Sequence, residues 1–300
     1  MLDPRLLYDF DPELWESVRG TEPALIHLLD GYIDAGSVTH GAGRYLLEVC
    51  EHEVLVTFDH DQLHDYRSRR PQMIFDTNQW VGMTDYALVI SRLLDANGTP
   101  FLLLTGPEPD TQWNRAATAV LGIAERLGVS RMITLSGVPM AVPHTRPTLV
   151  TAHATRPETI SGNPMWIDRV QLPGSFSHVL EFRAGEAGLL AQGFVAHVPH
   201  YLAQTSFPQA IEAVLGRLAA SAGLEIPLAE LTERRITNLA SIDSETAEDA
   251  DFPAVVKALE EQYDRLSSSG AASVPSAEEI GAAVEQFLAE QDPPPSDFRR

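Results

Sequence analysis

Cysteine occurs once in the 300-residue sequence, at Cys50, and lysine once, at Lys257. A lone cysteine excludes an intramolecular disulfide framework and a cysteine-rich zinc site together. It is expected on a helix, packed as a small hydrophobe. Long apolar runs are missing too: Arg, Asp, Gly or Pro interrupts every hydrophobic stretch before the roughly 20 residues needed to cross a bilayer. The first thirteen residues carry four carboxylates and no apolar run, so they do not fit a secretory leader, and a cytoplasmic location is expected. Positive charge is scarce, with 21 Lys and Arg against 42 Asp and Glu for a net charge of −21, which repels nucleic acid and anionic lipid. No nucleic-acid or membrane partner is therefore expected.

Several signatures of chemistry are absent. There is no Walker motif, and His40-Gly41-Ala42-Gly43-Arg44 falls inside a predicted helix and lacks the third glycine of a dinucleotide fingerprint. Ser136 precedes Gly137 but lacks the G-x-S-x-G elbow; its candidate base would be His144. His60 and His64, with Asp59, Asp61 and Asp65, have a chelating spacing if helical, but the glutamate of a zincin is missing, and a solvated loop is the better reading. No metal or cofactor is expected, and no catalytic set is assigned.

What remains is an ordinary globular composition, 44% hydrophobic and 21% charged. Its length suggests one large domain with an appendage. Residues 225–300 hold 17 Asp or Glu against 6 Arg or Lys, and residues 1–224 hold 25 against 15, so the last quarter is far more densely acidic. The pattern changes there as well, with helices predicted over 252–267 and 276–290 and a Ser-rich linker near 267–275. The division expected is an α/β main domain over 1–225 and an acidic helical extension over 226–300.

Within the first part, short β-rich runs alternate with amphipathic helices, which predicts a three-layer α/β/α sandwich. Strands are expected at 24–29, 54–58, 87–93, 100–105, 131–135, 148–153 and 192–198, and helices at 37–50, 113–127 and 208–222. The first two strands and the helix between them read as a βαβ unit. Asp95-Ala96-Asn97-Gly98-Thr99 reads as a hairpin turn, which makes the sheet mixed, with a helix ending at Gly98 as the competing reading.

Ligands of open α/β sheets gather beyond the carboxyl ends of strands. The polar residues there are Asp30, Asp34, Arg67, Arg69, Arg70, Glu108, Asp110, Trp113, His144, Arg146, His200 and Tyr201. Convergence would place Asp30, Asp34, Glu108, Asp110 and His144 around one cleft, with at least one acid paired to Arg67, Arg69 or Arg146 or holding a raised pKa. The alternative is that each acid caps a helix or closes a turn. For the arginines the alternative is ion pairing with surplus carboxylates.

Five phrases carry a resemblance: Leu29-Asp30-Gly31 with Asp34-Ala35-Gly36; Asp65-Tyr66-Arg67-Ser68-Arg69-Arg70-Pro71; Gly106-Pro107-Glu108-Pro109-Asp110 with Trp113; Val142-Pro143-His144-Thr145-Arg146-Pro147; and Val198-Pro199-His200-Tyr201. Spread over about residues 25 to 205, they resemble the actinobacterial branch of the proteasome-assembly-chaperone-like family. The resemblance implies a fold like that of nucleoside phosphorylases and peptidyl-tRNA hydrolases, and a homo-oligomer, with a trimer the implied form. It implies protein partners related to the proteasome, and it does not imply phosphorylase activity. Some family members dock through a C-terminal hydrophobic-Tyr-any tripeptide; here Phe298-Arg299-Arg300 puts Arg at the tyrosine position. Two readings stay open: a non-catalytic binding or assembly protein, and a small-polar-ligand protein or phosphorylase/hydrolase-like enzyme using the strand-end cleft.

Overall fold

A computed structural model describes residues 2–84, 86–160, 169, 171–246 and 252–268. The hairpin predicted around residues 95–99 is present. β6 (Val89–Leu94) and β7 (Pro100–Pro107) pair antiparallel from Leu94 opposite Pro100. The Asp95 carboxylate fixes this turn by accepting the backbone N–H of Thr99 at 2.7 Å, Glu225 at 2.8 Å and Asn97 at 2.9 Å. One side chain thus closes the hairpin and ties it to the chain after the fifth helix.

β7 runs parallel to β2 (Ala24–Asp30), β2 to β8 (Arg131–Met140) and β8 to β10 (Ala191–Pro199). Strands enclosed on both faces carry near-continuous apolar runs, as in Ala24-Leu25-Ile26-His27-Leu28-Leu29, all six buried. Antiparallel strands flank this centre: β9 (Val150–Ala154) beyond β10, and on the other side β6, β3 (Glu51–Phe58) and β1 (Tyr8–Phe10). The full order is β1-β3-β6-β7-β2-β8-β10-β9. β3 does run parallel to β2, yet β7 and β6 lie between them, so the expected βαβ unit spans two intervening strands. The hairpin wins those central places because its strands are the more apolar.

Alternation along each strand divides the core. Ile26, Leu28, Ile133, Leu135, Phe194 and Ala196 face α2 (Val38–Val49) and α5 (Pro208–Ala222). Leu25, Leu29, Leu102, Leu104 and Met132 face α1 (Pro12–Val18), α3 (Trp113–Leu127) and α4 (Phe176–Glu186). These are the three layers of an α/β/α sandwich. Gly41 lies in α2, where a Cβ would come within 2.4 Å of Ile211 Cδ1 of α5, so this glycine serves close helix packing. Gly128, with φ 71°, ends α3 as expected.

Two further helices follow, α6 (Ala229–Thr246) and α7 (Phe252–Ser268). Leu231 and Ile242 of α6 are buried in the same cluster as Leu224 and Ile226. α7 extends through Ser267 and Ser268, and the rest of the linker expected near 267–275 lies outside the described residues. The helix expected at 276–290 and the terminal tripeptide lie outside the described residues.

The second hairpin stands apart from the main sheet: β4 (Met73–Asp76) with β5 (Gln79–Met83). Met73, Ile74, Phe75, Trp80, Val81 and Met83 are all exposed on it. Among the described residues no helix is long and apolar enough to cross a membrane.

Candidate functional site

The ends of β2 and β8, the adjoining parts of β10 and β9, and the first turn of α4 enclose a cavity of about 360 Å³. Strand alternation turns Thr134, Ser136 and Val138 of β8, Val195 and His197 of β10, and Thr151 and His153 of β9 towards it. Gly193 permits this: a Cβ there would lie 2.2 Å from the His153 ring, so only glycine lets the imidazole cross the sheet. His153 Nδ1 is 2.8 Å from Glu181 Oε1 of α4. Glu108 is buried, and its Oε2 accepts the Phe176 N–H at 2.9 Å, which moors the start of α4. His178 is engaged in a capping box with Ser175, whose N–H it accepts at 3.2 Å and to whose Oγ its own N–H donates at 3.3 Å.

Burial dominates the electrostatics of this wall. It raises the Glu108 carboxyl above its ordinary value and pushes His197 down to about 4. His27, fully buried on the same face of β2, is also pushed to about 4, and neither of its ring nitrogens has a hydrogen-bond partner. Thr151 Oγ1 and His197 Nε2 are 2.8 Å apart, the spacing of a nucleophile and its base. An imidazole held near 4 is a poor proton acceptor at neutral pH, so the pair is a hydrogen-bonded wall.

A second cleft lies beside His144, lined also by Arg146, Gln209, Glu212, Arg235 and Asp243. The His144 N–H and Nδ1 lie 3.0 and 2.8 Å from the Tyr201 hydroxyl, and Nε2 lies 3.2 Å from Asp243 Oδ1 of α6. One tautomer satisfies all three contacts: Tyr201 accepts the backbone N–H and donates to Nδ1, leaving Nε2–H to donate to Asp243. Burial pushes the Tyr201 phenol up to about 12, which keeps it a donor. Arg146 reaches Glu260 at 2.9 Å and Asp264 at 2.8 Å, both on α7, and Arg235 of α6 reaches Glu212 of α5 at 2.6 Å. The Phe252 ring of α7 lies 5.1 Å from that of Tyr201.

The five residues expected around one cleft are therefore separated. Glu108 lines the cavity under α4, His144 lines the other cleft, and Asp30, Asp34 and Asp110 line neither. Local backbone demand claims the aspartates. Asp34 accepts the N–H groups of Thr39 and His40 at 2.7 and 3.1 Å, at the start of α2, and burial raises its pKa. Asp30 lies 3.1 Å from His40 Nδ1. Asp110 accepts from Asp65 N–H and Arg69 Nε, each at 2.9 Å, so Arg69 is ion-paired. Arg67, Arg70 and His200 are exposed. Trp113 donates to the Pro109 carbonyl and meets Phe176 edge-on at 5.8 Å. Ser136 and His144 face different clefts and cannot act together. Among the described residues no group of three His, Cys, Asp or Glu is placed to hold a metal ion.

Sequence reasoning missed His27, His153, His178 and Glu181 as a group, and the α6 residues Arg235 and Asp243. Strand alternation was the available signal for His153, which shares a face with Thr151 two residues earlier.

A mixed sheet between two helical layers, with a roofed cavity at the carboxyl ends of its parallel strands, defines an α/β/α sandwich without a recognisable catalytic set among the described residues. The sequence from residue 28 to 243 matches the model of the PAC2 family, and the chain belongs to that family. A search of the curated proteins finds no match. Among solved structures, a Mycobacterium tuberculosis protein of unknown function is 42% identical, with 95% of this chain and 96% of that one covered and a TM-score of 0.83. A Corynebacterium glutamicum protein of unknown function is 33% identical, covering 87% and 98%, with a TM-score of 0.81. A Mycobacterium tuberculosis proteasome-assembly chaperone homologue is 25% identical, covering 78% and 99%, with a TM-score of 0.71.

Proposed function

We infer that this protein is a non-catalytic, chaperone-like assembly protein of the cytoplasm that works as a homo-oligomer, a trimer, and binds protein partners related to the proteasome. The observation that carries the reading is the β4/β5 hairpin. A two-stranded hairpin is marginal in water by itself, and this one holds six large apolar side chains in solvent, with the Phe75 and Trp80 rings 4.9 Å apart. A surface of that kind marks a protein interface, and its occupant here is a second copy of the chain. Membership of the PAC2 family and the likeness to a proteasome-assembly chaperone homologue support the partner class. The strand-end aspartates, each tied to local backbone or a neighbour, leave the small-polar-ligand alternative without support.

Light scattering at micromolar concentration tests the oligomer: the expected mass is three times the 32.9 kDa of the chain. Trp80→Ser with Phe75→Ser is expected to yield monomers that fold like the parent, and to lose partners recovered by the parent from a lysate of the native host. A parent protein that scatters as a single chain would sink the reading.

A further inference from the structure

We propose that the cavity beneath α4 is a binding site for an uncharged, mostly apolar small molecule carrying one or two hydrogen-bonding groups. Interiors of proteins are close-packed, with few voids larger than a water molecule, so a space of about 360 Å³ is a feature of the fold. Its size lies in the range of small-molecule pockets, roughly 300 to 1,000 Å³. Leu29, Ile33, Val138, Met140, Leu172 and Val195 supply apolar wall from the sheet, the loop after β2 and the approach to α4. Most polar side chains of the lining are already bonded within the protein, among them Tyr32, Thr39, Thr134 and Ser175, which leaves the hydroxyls of Ser136 and Ser177 and the second oxygen of Glu108 for a guest.

Charge decides the ligand class. No arginine or lysine lines the cavity among the described residues, so a phosphate or carboxylate would be buried without a counter-ion, at high cost. The wall groups able to hold a charge are committed elsewhere or neutralised. His153 pairs with Glu181, His178 caps α4, His197 bonds Thr151, and burial favours the uncharged forms of His197 and Glu108. An uncharged guest suits such a wall, and a nucleotide or sugar phosphate does not. The inference does not rest on the assembly reading, because the cavity and the exposed hairpin are built from different elements.

Nile red, an uncharged apolar dye, is the probe, titrated into the full chain and read by its emission. The expected result is saturable binding at one dye per chain. Val195→Trp fills the cavity from the sheet and Ser177→Trp from α4, and each, in a variant whose melting curve shows it folded, is expected to weaken binding at least tenfold. Arg146→Ala, in the other cleft, should change dye affinity less than twofold. Trp80→Ser on the hairpin should leave it unchanged. Binding that survives in a folded filling variant, or that vanishes with Trp80→Ser, would overturn the proposal. A tenfold loss in Arg146→Ala would do so too, and so would a melting shift with inorganic phosphate and none with the dye.

Discussion

Beside His144, two arginines each lie within 3 Å of carboxylates on α5 or α7. Beneath α4 the wall has no arginine among the described residues, and its buried Glu108 and His197 are pressed towards uncharged forms. In the first cleft charge is spent on attaching the C-terminal helices, since the anchoring acids Asp243, Glu260 and Asp264 all belong to α6 or α7. In the second, charge has been removed where a guest could sit. An abundance of ionisable side chains is thus a poor guide to a ligand site in this fold; their pairing decides.

Cutting the chain after Glu225 separates the two clefts most sharply. It removes α6 and α7, one wall of the His144 cleft, and leaves every residue of the α4 cavity in place. Ile226, Leu231 and Ile242 leave the core, at about 2 to 3 kcal/mol each, so the shortened chain is expected to unfold cooperatively about 6 to 9 kcal/mol less stable, with Nile red binding retained. Loss of cooperative unfolding in urea would make α6 an inseparable part of the domain. Cutting after Thr246 removes only α7, with its buried Val256 and Leu259, and should keep the share that Ile226, Leu231 and Ile242 supply.

Acid should act through the cavity side. His27 and His197 are held near 4 in the folded chain against an ordinary 6.5, so the unfolded chain binds more protons between those values. Stability is therefore unaffected by them above pH 6.5 and falls as the pH drops towards 4, by about 3 kcal/mol for each ring. His27→Leu removes a buried imidazole without hydrogen bonds and should flatten about half of that fall, at no cost at pH 7. An unchanged slope in urea titrations at pH 7, 6 and 5 would contradict the assignment.

Glu108 titrates in the opposite sense. Its raised folded pKa means that its contribution is whole below the ordinary carboxyl value and is lost as the pH rises through the folded one. Glu108→Gln should therefore gain on the parent as the pH climbs from 4 to 7. Glu108→Ala leaves the Phe176 N–H without its acceptor and should cost about 1 to 3 kcal/mol. The smallest effect belongs to the charged cleft. Arg146→Ala removes half-buried pairs at the surface that salt partly screens, so melting in 150 mM salt should move little while chymotrypsin cuts faster after Tyr263. A large melting change there would mean that the pairs hold more than the attachment of α7.

Much of the fold was legible because local signals agreed. α3 and α5 have the predicted bounds, since an amphipathic stripe ends at a glycine in each, Gly128 and Gly223. The 95–99 turn was readable from Asp and Gly spacing. The β4/β5 hairpin was not, because Met73-Ile74-Phe75 and Trp80-Val81 show no alternation between core and solvent; all five are exposed. α4 escaped as well. Its buried residues Phe176, Leu180 and Ala184 recur every four positions, but Phe182 is exposed between them and blurs the stripe. The candidate site was harder still. Glu108 was found from its place after a strand, whereas its role depends on Phe176, 68 residues away. His27 gives no local signal, because its isolation follows from burial by distant elements.

Cys50 closes α2 in the core, with its thiol pushed up to about 11 by burial. At neutral pH almost none of it is the reactive thiolate, and solvent hardly reaches it. It is also the sole thiol of the chain. Alkylating reagents therefore have one target, which they meet only when α2 lifts from the sheet. The rate of iodoacetamide capture becomes a stopwatch for opening of that helical layer, needing no engineered label, and each variant above can be timed by it.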